Sequence, residues 1–184
     1  MSKINTLYGP INQSVWVKAQ QIKLLVCDVD GVFSDGRIYL GNDGEELKAF
    51  HTRDGFGIKA LINAGIEVAI ITGRKSAIVE KRMTGLGITH IFQAQDNKFD
   101  AYQQLMAQLN LESHQIGYIG DDVVDKPVMD HCGLGIAVND AHPALLIDCD
   151  YQTFIKGGYG AVRECCDLIL ASQDKLKNAQ GMSV

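Results

Sequence analysis

None of the five cysteines (Cys27, Cys132, Cys149, Cys165, Cys166) forms a C-x-x-C pair, so free thiols in a reducing cytoplasm are the plain reading. The histidines are scattered without metal-ligand spacing, and no zinc centre is expected. No apolar run approaches the length of a membrane span, and Met1–Pro10 lacks a signal-peptide pattern. Basic residues are not in excess: the net charge is -5, which argues mildly against nucleic acid as the main partner. There is no internal repeat and no sign of a second domain. What remains, at 46% hydrophobic and 21% charged over 184 residues, is the composition of one globular α/β domain with a proper core.

The stretch that organises the chain is Ile22–Val32. Its apolar run, Leu24–Cys27, ends abruptly in Asp28, Val29, Asp30 and Gly31. Such a run fits a strand buried on both faces of a parallel sheet. Two carboxylates at the carboxyl end of a buried strand are costly unless a cation or a reacting phosphate compensates them. Gly31 then allows a sharp turn or the close approach of a ligand.

The rest alternates strands with helices. Ile11–Gln20 reads as a leading helix. Phe33–Phe50 carries a hairpin signal around the turn Gly41–Gly44. It interrupts a strand-to-helix step that is normally short, above the strand ends where ligands bind in open sheets, and so predicts a small flap. Helices are expected over 54–64, 76–86, 97–109, 123–132, about 143–149 and 161–171, with strands over 66–71, 88–92, 116–119 and 134–138. This pattern predicts a doubly wound parallel α/β sheet, Rossmann-like, with no large cap domain. A single domain is expected over 1–184: core about 22–171, flap about 33–50, and a polar, disordered tail over 172–184.

Three strand ends carry polar residues that a core does not need: Asp28 with Asp30, Thr72, and Asp121 with Asp122. Lys98 opens the helix after the third strand, Ile88–Phe92. Each has a plain structural explanation taken alone, such as a turn or a helix cap. Parallel strands bring all of them to one edge, and there they suit phosphoryl transfer. Carboxylates are hard oxygen ligands for Mg²⁺. A hydroxyl and an ammonium can hold phosphoryl oxygens. One aspartate can act as nucleophile, and a second, two residues on, can carry the proton.

In this order Asp28-Val29-Asp30-Gly31-Val32, Thr72-Gly73-Arg74, Lys98 and Gly120-Asp121-Asp122-Val123-Val124-Asp125 resemble the four motifs of the haloacid dehalogenase superfamily of phosphohydrolases, a likeness running from about residue 22 to 170. The runs Phe33–Tyr39, Phe50–Gly57 and Gly157–Glu164 narrow it to its sugar-acid phosphatases. The eight-carbon type of lipopolysaccharide synthesis matches first; nine-carbon relatives share much of the pattern. The resemblance implies that Asp28 attacks phosphorus and binds Mg²⁺. It makes Asp30 the general acid and base and gives its carbonyl to the metal. Thr72 and Lys98 hold phosphate oxygens, Asp121 completes the metal site, and Asp122 and Asp125 support it from behind. Lys126 departs from the pattern, which expects an apolar residue there.

A sugar-acid phosphate also presents a carboxylate, so cations are expected beyond the phosphate site. Arg74, with Gly73, is the best placed. Lys59 and Arg82 are weaker candidates, and the run His51, Thr52, Arg53, Asp54, Gly55 is a candidate pocket wall; solvated surface roles for His51, Lys59 and Arg82 are equally ready readings. The family resemblance further implies a homotetramer whose flaps meet neighbouring subunits. Two rivals stand beside the enzyme reading. A phosphoreceiver would share Asp, Thr, Lys and Mg²⁺ but not Asp30 or the flap. A non-catalytic oligomerisation domain would not need intact motifs.

Overall fold

The strand β3 (Leu24–Cys27) lies at the middle of a six-stranded, all-parallel sheet. Its four residues are wholly buried, as expected where helices cover both faces. On one side it pairs with β6 (Glu67–Ile71), then β7 (His90–Phe92); on the other with β8 (Ile116–Gly120), β9 (Leu134–Ala137) and β10 (Tyr151–Gln152). The chain therefore leaves β3 in one direction and later returns to its opposite side. The carboxyl ends at such a switch point form a natural crevice.

The computed structural model describes residues 2–179. Its helices are α1 (Gln13–Ala19), α2 (Thr52–Asn63), α3 (Ala77–Gly85), α4 (Lys98–Leu109), α5 (Lys126–Met129), α6 (Pro143–Asp148) and α7 (Ala161–Ser172). The densest helix packing joins α2 to α7, where Gly57 comes against Cys166. The expected flap is present as an antiparallel hairpin of β4 (Tyr39–Leu40) and β5 (Glu46–Leu47), in register Tyr39↔Leu47. Among the described residues no helix is long and apolar enough to cross a membrane. The five cysteines are free.

Four local expectations change. The leading helix starts later, because a two-stranded ribbon of β1 (Lys3–Asn5) and β2 (Pro10–Asn12) precedes it. The short strand β10 extends the sheet by one member. The helix expected over 123–132 is a 3₁₀ turn, Val123–Asp125, followed by the single-turn α5. There the Asp125 side chain turns back to accept the backbone N–H groups of Asp121 and Asp122, and Pro127 sits in the first turn of α5. Finally, the tail is docked as far as Ala179. Gln173 donates to the carbonyls of Ala19 and Ile22 (3.3 and 2.8 Å) and Lys175 to that of Ala64 (3.2 Å). Ala19 and Ala64 stand at the ends of α1 and α2, where carbonyls lack intrahelical partners, and the tail supplies donors there. The remainder, 180–184, lies outside the described residues.

Leu25 is completely buried in β3. Replacing it with alanine is expected to cost about 2–5 kcal/mol, measured as a lowered urea midpoint at unchanged slope.

Candidate active site

Past β3 the ladder continues for one residue, with the Asp28 N–H donating to the Ile119 carbonyl at 3.1 Å. The backbone then curls, and the N–H groups of Val32, Phe33 and Ser34 all point at the Val29 carbonyl (3.2, 2.9 and 3.1 Å). Gly31 makes this possible. Its φ is +86°, and a Cβ there would lie 2.0 Å from an Asp121 carboxylate oxygen. Only glycine lets the first motif and the fourth close this tightly.

The side chains of Asp28, Lys98 and Asp125 form a buried cluster beneath the turn. Lys98 Nζ is 2.8 Å from Asp28 Oδ2 and 2.7 Å from Asp125 Oδ1. Asp125 also accepts from the Tyr118 hydroxyl (2.6 Å) and from the N–H groups of Asp121 and Asp122 (2.9 and 3.1 Å). Both its oxygens are thus engaged, and Asp125 is a brace more than a free ligand. Burial pulls the Lys98 ammonium toward neutrality, but the charges of Asp28 and Asp125 outweigh it and hold Lys98 above the usual lysine range.

Carboxylate oxygens of Asp28, Asp121 and Asp125 lie within 4.8 Å of one another, and one lysine cannot neutralise them all. Burial, reinforced by the Asp125 charge and opposed by Lys98, pushes Asp28 up to about 6. Burial and the charges of Asp28 and Asp125 push Asp121 up to about 8. Asp28 Oδ1 is buried without any hydrogen-bond partner, a costly state for a carboxylate oxygen. These observations fit a hard divalent cation such as Mg²⁺, held by Asp28 and Asp121.

The cleft above has a volume of about 290 Å³ and is lined by Asp28, Asp30, Thr72, Gly73, Arg74, Gln95, Asp96, Lys98 and Val124. Residues from the ends of β3 and β6, from the start of α4 and from the turn after β8 therefore meet, as the parallel sheet requires. Asp122 caps the 3₁₀ turn at the rim by accepting from the Val123 N–H at 2.7 Å. The run His51–Gly55, Lys59 and Arg82 do not line the cleft. His51 caps α2, its Nδ1 accepting the Arg53 N–H at 3.1 Å; Thr52 and Arg53 are exposed, and Lys59 is half-buried on the same helix. Asp54 is buried and accepts the Arg163 N–H at 2.8 Å. Burial, opposed by that bond and by the neighbouring arginines, raises it to about 7. Gly55 leaves room for the Arg82 guanidinium, which a Cβ would meet at 2.7 Å. Lys126, the departure in the fourth motif, pairs with Asp130 and Asp148 away from the cleft.

Two flap residues escaped the sequence reading. Glu46 accepts from Ser76 Oγ (2.9 Å) and Arg74 Nη2 (3.3 Å), and the Lys48 ammonium bonds Asp30 Oδ1. The available signal was their spacing: charges two apart in a hairpin strand share a face.

A buried aspartate and lysine at a parallel switch point, with carboxylates gathered for a cation, define a hydrolase of the haloacid dehalogenase-like class, and the model of that hydrolase family matches residues 83–156. The 3-deoxy-D-manno-octulosonate 8-phosphate phosphatase KdsC of Yersinia pestis is 57% identical over 181 residues, 98% of this chain and 97% of that protein. The crystal structure of the Yersinia pestis phosphatase superposes with a TM-score of 0.98 at 56% identity, covering 100% of this chain and 99% of that one. The Moraxella catarrhalis phosphatase, solved with magnesium ion, phosphate ion and KDO, superposes with a TM-score of 0.89 at 44% identity, covering 90% and 95%. The chain belongs to the family of 3-deoxy-D-manno-octulosonate 8-phosphate phosphatases.

Two outcomes follow from the site. At about one hundred times its Kd, Mg²⁺ should add about 2.7 kcal/mol of stability, read as a raised melting temperature. Asp121→Asn should lose that increment, and an equal rise in the variant would remove Asp121 from the metal site. Asp125→Ala leaves Lys98 and two backbone N–H groups short of a partner, and should cost about 3–5 kcal/mol in urea unfolding.

Proposed function

We propose that the protein hydrolyses 3-deoxy-D-manno-octulosonate 8-phosphate to the free sugar acid and phosphate. The observation that carries this is the buried Asp28, held by Lys98 on one oxygen and unpartnered on the other, facing a cleft that Asp30 also lines. Family membership supplies the substrate class. A carboxylate oxygen of Asp28 attacks phosphorus, and the bond from phosphorus to the sugar oxygen breaks. Asp30 gives that oxygen a proton. Water then attacks the aspartyl-phosphate, Asp30 takes the proton back, and the bond from phosphorus to Asp28 breaks to restore the carboxylate. Proton transfer of this kind contributes about 10²- to 10⁴-fold.

Thr72 and Lys98 hold phosphoryl oxygens, and Lys98 offsets the repulsion between Asp28 and the incoming phosphate. Asp28, Asp121 and the Asp30 carbonyl would hold Mg²⁺, which when bound would neutralise charge on the transferring group. Asp122 and Asp125 shape this site from behind. Arg74, exposed at the cleft wall, meets the substrate's own carboxylate or hydroxyls. The phosphoreceiver reading is disfavoured by Asp30, because a proton acceptor beside the phosphorylated residue shortens the phosphate's lifetime.

The assembly we propose is a homotetramer working in the cytoplasm. Tyr39 and Leu47, opposite one another across the flap, are 51% and 54% exposed, and Leu40 on the other face is 72% exposed, apolar surface that a hairpin this small cannot shelter. Neighbouring subunits would cover it. His51–Gly55, Lys59 and Arg82 lie outside the single-chain cleft, and a role for them in substrate binding would require that assembly.

The test is phosphate release from eight- and nine-carbon sugar-acid phosphates, with Mg²⁺ and with chelator. Release favouring the eight-carbon ester, abolished by chelator and lowered on the order of 10³-fold or more by Asp28→Asn, is expected. Faster release from a nine-carbon ester would move the substrate while keeping the chemistry.

A further inference from the structure

Lys48 grows from the flap just past β5, yet its side chain is wholly buried. A buried ammonium is costly unless something pairs with it. Its Nζ bonds Asp30 Oδ1, and Glu46 Oε1 is 3.7 Å away. Glu46 is already engaged by Ser76 and Arg74, so Asp30 is the close partner of this charge.

The two oxygens of Asp30 are thereby made unequal. Oδ1 takes Lys48 and, more weakly, the Ser34 hydroxyl at 3.4 Å. Oδ2 accepts no hydrogen bond among the described residues; its neighbour is Arg74 Nε at 3.7 Å, beyond hydrogen-bond reach. One oxygen is anchored from the flap side and the other is left unbonded, on a residue that lines the cleft.

We infer that Lys48 is a positioning residue for the hydrolysis: its ammonium fixes Asp30 through Oδ1 and so aims Oδ2 at the oxygen that leaves. The inference rests on the proton-carrying role given to Asp30 above. The flap then contributes to the chemistry itself, because the group that orients the proton carrier arrives with it.

The experiment compares the first turnover of two esters by rapid mixing. The sugar-acid phosphate releases an alkoxide that needs a proton; 4-nitrophenyl phosphate releases a phenolate that does not. Lys48→Met keeps the apolar stem and removes the charge, and Lys48→Arg keeps a cation. With Lys48→Met, the sugar ester should slow about ten- to a hundredfold while 4-nitrophenolate release stays within about threefold of the unsubstituted protein. Lys48→Arg should recover most of the loss. Equal slowing of both esters, as from a damaged flap, overturns the inference, and so does an unchanged sugar-ester rate. Should Lys48→Met fail to fold, Lys48→Gln makes the same comparison.

Asp30→Asn run alongside separates two failures. It should slow the sugar ester selectively, and adding Lys48→Met to it should change little further. Normal sugar-ester turnover in Asp30→Asn would remove the proton carrier and the inference with it. Selective slowing in Asp30→Asn with equal slowing of both esters in Lys48→Met would remove Lys48 alone.

Discussion

The contact from Lys98 to Asp28 and Asp125 sets the terms for everything around it. A negative side chain at the closed end of a sheet is tolerated only where a cation sits against it, since each buried charge otherwise costs several kcal/mol. Lys98 stands at the first position of α4, where the helix dipole disfavours a cation. It is kept there by two carboxylates, and one of these is fixed by a tyrosine hydroxyl and two backbone N–H groups. The result is a charge cluster whose hydrogen bonds are assembled without any ligand. It remains short of positive charge at Asp28 Oδ1 and Asp121, where reactive capacity is needed.

How much of this the sequence discloses depends on range. Strands and long helices follow from local periodicity, and the end-of-strand positions of Asp28, Thr72 and Asp121 follow from the sheet. The cleft was therefore legible in outline from motifs separated by long stretches of chain. The role of Asp125 was legible only as a resemblance. Its four donors come from Lys98, Tyr118, Asp121 and Asp122, and no pattern around Asp125 announces Lys98 as one of them. The short turn was hidden for the same reason: the Asp122–Asp125 capping box opens only Val123–Asp125, and nothing local shows that the Asp125 carboxylate is also tied to Lys98 and Tyr118. The docked tail was missed because polar residues read as solvated, whereas Gln173 and Lys175 find carbonyls at the ends of other helices. For His51–Gly55 the single chain shows a local role instead: α2 uses His51 as its cap, and the run stays outside the single-chain cleft.

The flap is small but densely charged on its inner side. Glu46 draws Ser76 and Arg74 toward it, and Lys48 reaches Asp30. Tyr39 and Leu47, opposite one another in the hairpin, lie on the other face and are exposed. One hairpin thus offers polar contacts to its own cleft and apolar surface on its other face.

The loop at Gly157 bears on how the protein is made. A Cβ at Gly157 would fall 1.6 Å from the Gly31 carbonyl oxygen, and the Gly158 N–H donates to the Val32 carbonyl at 2.9 Å. The turn carrying the proposed nucleophile is thus clamped by a segment more than a hundred residues later in the chain. Synthesis runs from the amino terminus, so the first motif is made well before the loop that completes it. Contacts this distant in sequence also slow folding. A ribosome-bound or truncated chain lacking this loop would hold the motif without its finished shape, and activity would appear only once the whole domain had closed.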